Sequence, residues 1–260
     1  MTGRIDSEVQ ANMIFLKTEQ EIVNMRRCNR IVAQVLKELA EMARPGVATK
    51  DLNARAEELL AVYGGEPAFK GYRGYPASVC ISINEQIVHG IPDGRKLKEG
   101  DIVSLDFGVK LNGFFGDAAV TVAVGEIGGK ARELLAVTEQ SLYRGIEQAV
   151  VGNRLSDICQ AIQSWVESHR FSVVRDFVGH GIGMALHEDP QIPNYGIPIP
   201  NPRLQEGMVL AIEPMVNEGT HEMKILSDGW TAVTGDGKLS AHFEHTVAIT
   251  GGGPLILSMP

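Results

Sequence analysis

From Thr18 to about Ala43 the apolar residues Ile22, Met25, Ile31, Val35, Leu36 and Leu39 recur at helical spacing among polar positions, until Pro45-Gly46 ends the run. This predicts a long amphipathic helix. A second helix starts at Thr49, an N-cap candidate, buries Leu52, Ala56, Leu59 and Leu60, and stops at Gly64-Gly65. The period returns from Lys130 to about Val150, then again after Gly152, with Ser156 as cap and Leu155, Ile158, Ile162 and Val166 as the buried stripe. Laying "GVATKDLNARAEEL" from Gly46 over "GNRLSDICQAIQSW" from Gly152 matches glycine, a Thr/Ser cap, Asp and an aliphatic residue at one offset of 106. The pattern reads as an internal duplication, a helix pair followed by strands, twice.

Strand-like segments follow each helix pair: "SVCISIN", "DIVSLDFGV" and "GFFGDAAVTVAV", then "GMVLAIEPMV", "WTAVTG" and "SAHFEHTVAIT". No Pro- or Ser-rich linker divides the halves. An α/β (α+β) chain with two pseudo-equivalent lobes is expected, its helices outside a curved, largely antiparallel sheet.

Asn112-Gly113, between alternating strands, favours a two-residue type I′ turn and sets the register: Leu111 opposite Phe114, Gly108 opposite Asp117. Asp106 then shares a face with Asp117, diagonal to it. Two close carboxylates among apolar residues cost several kcal/mol unless protons or cations compensate. The same oddity recurs. Glu213 lies in an aliphatic strand, "MVLAIEPM", that Pro214 ends, His242, Glu244 and Thr246 fall on one face of "SAHFEHTVAI", and His180 and His187 are flanked by glycines in "FVGHGIGMALHEDP". Oxygen-rich donors with one imidazole suit Mn, Fe, Co or Zn better than a soft thiolate metal. With two bridging carboxylates, such a set suffices for a two-metal centre that activates water.

Charge and composition narrow the field. With 24 basic and 32 acidic residues the net charge is -8, and no Lys/Arg block could track a phosphate backbone, so nucleic acid is not an expected partner. No run approaches a membrane span, and the start lacks a basic region followed by an apolar stretch, so a cytoplasmic protein is expected. Cys28, Cys80 and Cys159 lack CxxC spacing and read as free thiols.

Together "GHGIGMALH", "VSLDFGV…GD", "AIEPM", "SAHFEHT" and "YPASVCISINEQIVHGIP" resemble the type I methionine aminopeptidases, from about Met13 onward. The resemblance implies the pseudo-symmetric pita-bread fold over residues 13–260, with residues 1–12 a preceding extension of no assigned role. It implies that Asp106 chelates one metal, His180 and Glu213 the other, and that Asp117 and Glu244 bridge them. By the same resemblance His89 contacts the substrate amide, His187 binds the peptide carbonyl, and Glu213 shuttles a proton. Tyr72, Tyr75, Cys80 and Trp230 would form the methionine pocket.

Three positions depart from the family pattern: Leu186 where an aromatic is common, Phe69 where a small residue is common, and His242 where glutamine is frequent. The 25 residues 188–212 leave no room for the helical insertion of type II enzymes, which favours the short bacterial-like form. The implied cofactor is two divalent ions per chain, Co, Mn, Fe(II), Zn or Ni. The implied substrate is a nascent peptide with a free α-amine and a small, uncharged second residue. A transient ribosome contact and a monomeric state are expected. Two other readings would fit the fold, an Xaa-Pro hydrolase and an inactive binding protein that has lost its ligands.

Overall fold

The computed structural model describes residues 13–196 and 200–259; the expected extension at residues 1–12 lies outside them. Helix α1 spans Glu19–Met42, and its start is a capping box in which Thr18 Oγ1 accepts from the Glu21 N–H and Glu21 accepts from the Thr18 N–H. Its stripe Met25, Cys28, Val32, Val35, Leu36 and Leu39 is buried. Helix α2 spans Thr49–Tyr63 and ends on Gly64 at φ 76°, a left-handed conformation that a side chain would penalise. Helices α3, Gly129–Glu147, and α4, Leu155–Ser168, complete the set.

Two expected caps are displaced. Thr49 and Ser156 lie inside their helices rather than at the boundary, which falls on Ala48 and Arg154. The reason is the same in both halves: Ala48 and Arg154 are bridged to Lys96 and Arg203, so the entry is fixed by backbone pairing. The Thr49 hydroxyl instead accepts the Asp93 N–H at 2.8 Å, and the Ser156 N–H donates to Asn201 Oδ1 at 3.0 Å. These matched departures carry the duplication further than the residue pattern alone.

All strand pairs of the nine-stranded sheet are antiparallel. Its central run is Ile102–Leu111, Phe114–Ala123, Glu244–Thr250, Val209–Ile212 and Gly179–Gly181. Under α1 and α2 one core packs Val32, Leu39, Leu52 and Leu59 against Val103 and Phe107. Under α3 and α4 a second packs Leu134, Leu142, Ile158 and Ile162 against Ile212 and Val247. Each such side chain contributes about 1.5–3 kcal/mol by leaving water. The helices thus cover the sheet's apolar face in two blocks. All three cysteines are free and buried, as expected.

The segments Gly207–Val216 and Ser240–Thr250 are not continuous strands. Each breaks, at Glu213-Pro214 and at Phe243, and Met215–Asn217 pairs with Ser240–His242 on one side and Ser172–Val173 on the other in a separate three-stranded sheet. Pro214 has no N–H for the ladder, and its carbonyl accepts from the Phe243 N–H at 3.4 Å. His242 therefore does not share a strand with Glu244.

Candidate metal centre and adjoining pocket

Asn112 at φ 51° and Gly113 at φ 83° form the expected turn, and Leu111 pairs with Phe114 and Gly108 with Asp117. Ala119 is then flanked by Asp106 on one side and Glu244 on the other. Opposed residues share a face, as do residues two apart, so Asp106, Asp117 and Glu244 all project from one side of the sheet. His180 pairs with Ala211, which also pairs with Thr246, so the imidazole joins that side from the other half. The alanines between these groups leave room for them. Glycine is required beside His180, because a Cβ at Gly179 would strike the Ala211 carbonyl and one at Gly181 the Asp189 carbonyl.

The arrangement is electrostatically unfinished. Ligand atoms of Asp117, His180 and Glu244 lie within 4.8 Å of one another, and His180 Nε2 is 3.6 Å from Glu213 Oε1. Asp106, Asp117 and Glu244 each have a buried carboxylate oxygen without a hydrogen-bond partner among the described residues. Burial pushes Asp106 and Glu213 up to about 7. It holds Asp117 and Glu244 well above the usual carboxylate range, with the neighbouring carboxylates adding to the effect. Uncompensated, this packing would cost several kcal/mol. Cations at the centre would remove that cost, and an oxygen-rich set with one imidazole fits divalent metals of intermediate hardness. His242 lies against the cluster, its Nε2 3.6 Å from Glu213 Oε2, and neither ring nitrogen has a hydrogen-bond partner among the described residues.

Beside the carboxylates is a cavity of about 150 Å³ that all the expected pocket residues line. Tyr75 and Trp230 meet edge to face at 5.2 Å, and the Tyr75 hydroxyl donates to the Gly90 carbonyl at 2.8 Å. Phe69 is seated against Gly108, where a Cβ would approach its ring to 2.7 Å. Cys80 sits opposite Asp106 on the adjacent strand, and Leu186 is buried at the other wall. Trp230 is held by Asp228, which accepts from the Trp230 and Thr231 N–H groups at 2.8 and 2.9 Å.

Two more histidines line the cavity. His89, at φ 61°, packs edge to face on Phe177 at 5.1 Å, and burial lowers its pKa to about 4. His187 stacks on Tyr72, and its Nδ1 is 2.9 Å from the Tyr72 hydroxyl. His187 is exposed at the cavity mouth, yet loss of hydration against the wall, reinforced by His180 and Arg73, lowers its pKa. Both rings are neutral at pH 7. Arg73 and Phe177 escape a reading of the sequence: Arg73 lines the cavity between Tyr72 and Tyr75, and a glycine-rich "GYRGYP" turn is the only signal for it.

Residues 23–251 match the metallopeptidase family M24. A methionine aminopeptidase of Clostridium perfringens is 56% identical over 247 residues, 95% of this chain and 99% of that one. Methionine aminopeptidase 1 of Bacillus subtilis is 56% identical over 92% of this chain and 96% of its own length. The crystal structure of a methionine aminopeptidase from Thermotoga maritima superposes with a TM-score of 0.93 at 48% identity, covering 95% of this chain and all of that one. A prolidase from Pyrococcus furiosus, at 24% identity and a TM-score of 0.76, shares the fold.

Proposed function

Since this chain belongs to the metallopeptidase family M24 and, within it, to the methionine aminopeptidases, we propose that it removes the initiator methionine from nascent polypeptides during protein maturation, using two divalent ions. The observation that carries the reading is the cluster of four carboxylates and one imidazole, largely withdrawn from solvent and set beside an aromatic cavity. Asp106 would hold one ion, His180 and Glu213 the other, with Asp117 and Glu244 shared. When bound, the ions would polarise the scissile carbonyl and lower the pKa of a water.

The chain's own groups divide the remaining work. Tyr75, Trp230, Cys80 and Tyr72 offer apolar and aromatic surface to an unbranched thioether, with Phe69 and Leu186 closing the walls. The substrate's free α-amine reaches the carboxylates. His187 Nδ1 faces the Tyr72 hydroxyl at 2.9 Å, and with that hydroxyl donating, the imidazole would carry its proton on Nε2 and donate it toward the peptide carbonyl. His89 contacts the substrate amide from the opposite wall. Glu213 carries a proton from the attacking water to the departing amine.

Residues 13–260 act as one catalytic unit in this reading, monomeric and cytoplasmic, meeting its substrates through a transient ribosome contact. Among the described residues no helix is long and apolar enough to cross a membrane. The test is a Met-X-Met-Ser peptide series, with Xaa-Pro peptides alongside, after chelation and readdition of Mn, Co or Fe(II). Cleavage is expected for X as Gly, Ala, Ser, Thr, Pro, Val or Cys and refused for Leu, Phe, Lys or Arg. Equal cleavage of Met-Ala and Met-Arg, or preference for Xaa-Pro, would overturn it.

A further inference from the structure

The loop Ile182–His187 joins the strands Gly179–Gly181 and Glu188–Ile192 and carries Leu186 of the cavity wall and His187. Its outer face is bare, with Met184 and Ala185 exposed. Beneath it is a buried ion pair: Lys17 Nζ on Glu188 Oε2, the two side chains only 6% and 7% exposed. The lysine comes from the strap before α1, where its N–H donates to the Gly207 carbonyl at 2.7 Å and its ammonium also donates to the Phe15 carbonyl at 3.0 Å. The other Glu188 oxygen accepts the Ala185 N–H at 3.1 Å, inside the loop itself. Gly183 is the seat of the pair, since a Cβ there would collide with Lys17 Cε and crowd Glu188 Oε1.

Removing two charges from water is costly, and a buried pair of this kind is weak as a source of stability. Its geometric effect is specific. It ties the residue next to His187, and the Ala185 N–H within the loop, to a strap anchored at Gly207, just before the neighbouring strand Val209–Ile212. The start of the loop is tied by backbone bonds, Ile182 N–H to the Val209 carbonyl at 3.1 Å and Phe115 N–H to the Gly183 carbonyl at 2.8 Å, whereas the Ala185 N–H, nearer His187, is held by Glu188. We infer that Lys17 and Glu188 are positioning residues that act through His187, holding its imidazole at the reach the substrate carbonyl requires. The inference rests on the proposed role of His187.

The experiment is a double-mutant cycle on the metal-loaded enzyme with a Met-Ala-Ser peptide. Lys17→Met and the apolar pair Lys17→Met/Glu188→Met should each lower kcat roughly 10- to 100-fold, the scale of a small misplacement of a reacting group. KM and metal content should stay within about twofold, since neither Lys17 nor Glu188 lines the cavity and the carboxylates are placed by other strands. Lys17→Arg, which keeps the charge, should restore most of kcat. In a His187→Ala background the same substitutions should cost nothing further. An equal loss of kcat with and without His187 would overturn the inference, because the pair would then act on general stability. Unchanged kcat in a folded Lys17→Met enzyme, or failure of both Lys17→Met forms to fold, would overturn it as well. Full activity in His187→Ala alone would instead remove the reading of His187 on which it stands.

Discussion

The carboxylate cluster and the aromatic cavity share a wall, yet they are held by different kinds of structure. Asp106, Asp117 and Glu244 are placed by strand register, each fixed by ladder pairs around Ala119. Tyr72, Trp230 and His187 hang from turns, held by side-chain contacts such as the Tyr72–His187 stack and hydrogen bond and the Asp228 cap on Trp230. Register is cooperative, so the carboxylates stay in place even while they repel one another. Turn-borne side chains are set one at a time. Metal ligation would therefore rest mainly on the register-fixed part, and the contacts of Tyr72, Trp230 and His187 on the adjustable part.

Substitutions on the two sides should behave differently. The largest effect is expected from Asp117→Asn, which keeps shape but removes a charged ligand: turnover should fall by about three orders of magnitude or more, as for one member of a set acting as a unit. Metal analysis of the purified variant should show less bound ion. Next comes His187→Ala, with a fall in kcat of roughly 10²–10⁴ and metal content intact, read from steady-state kinetics and elemental analysis. A smaller effect is expected on the cavity side. Trp230→Ala should raise KM for Met-Ala-Ser roughly tenfold and narrow the preference for methionine over norleucine, with kcat less affected.

The subtlest prediction concerns metal removal and pH. Burial raises Asp106 and Glu213 to about 7, whereas an unfolded carboxylate titrates near 4. With folded values above unfolded ones, the native metal-free protein binds more protons in between, so its stability falls as pH rises from about 4 to about 7. Ions compete with those protons for the same oxygens, so the loaded enzyme should escape this fall. Thermal midpoints of loaded and chelated protein should diverge by several degrees across that window. Parallel curves would contradict the assignment.

Much of this was legible in the sequence where the information is local. The Asn112-Gly113 turn and its register, with Gly108 opposite Asp117, could be read from eighteen consecutive residues because turn chemistry fixes pairing. Helix stripes were equally readable. The caps expected at Thr49 and Ser156 fall inside the helices, because the bridges to Lys96 and Arg203 that set those boundaries are long-range. The strand's end at Pro214 was legible from the missing ladder donor, but the break at Phe243 and the sheet that each segment joins next were not, because that pairing is long-range. The Lys17–Glu188 pair left no trace, since a lysine before an amphipathic helix ordinarily reads as solvated and its partner lies 171 positions away.

The two-residue turn at Asn112-Gly113 also bears on how this chain can vary in length. Exposed loop tips usually absorb insertions, and this one is exposed at both residues. Here an added residue that shifted the pairing by one would rotate the whole Phe114–Ala123 strand face for face, sending Asp117 toward the helices and Ala118 into the site. A substitution at this tip, where both residues hold positive φ, would cost local strain, whereas an odd change in its length would misplace the site. Point substitutions and single-residue insertions would thus act at different ranges from the same two surface positions, the first on the turn and the second on the metal centre.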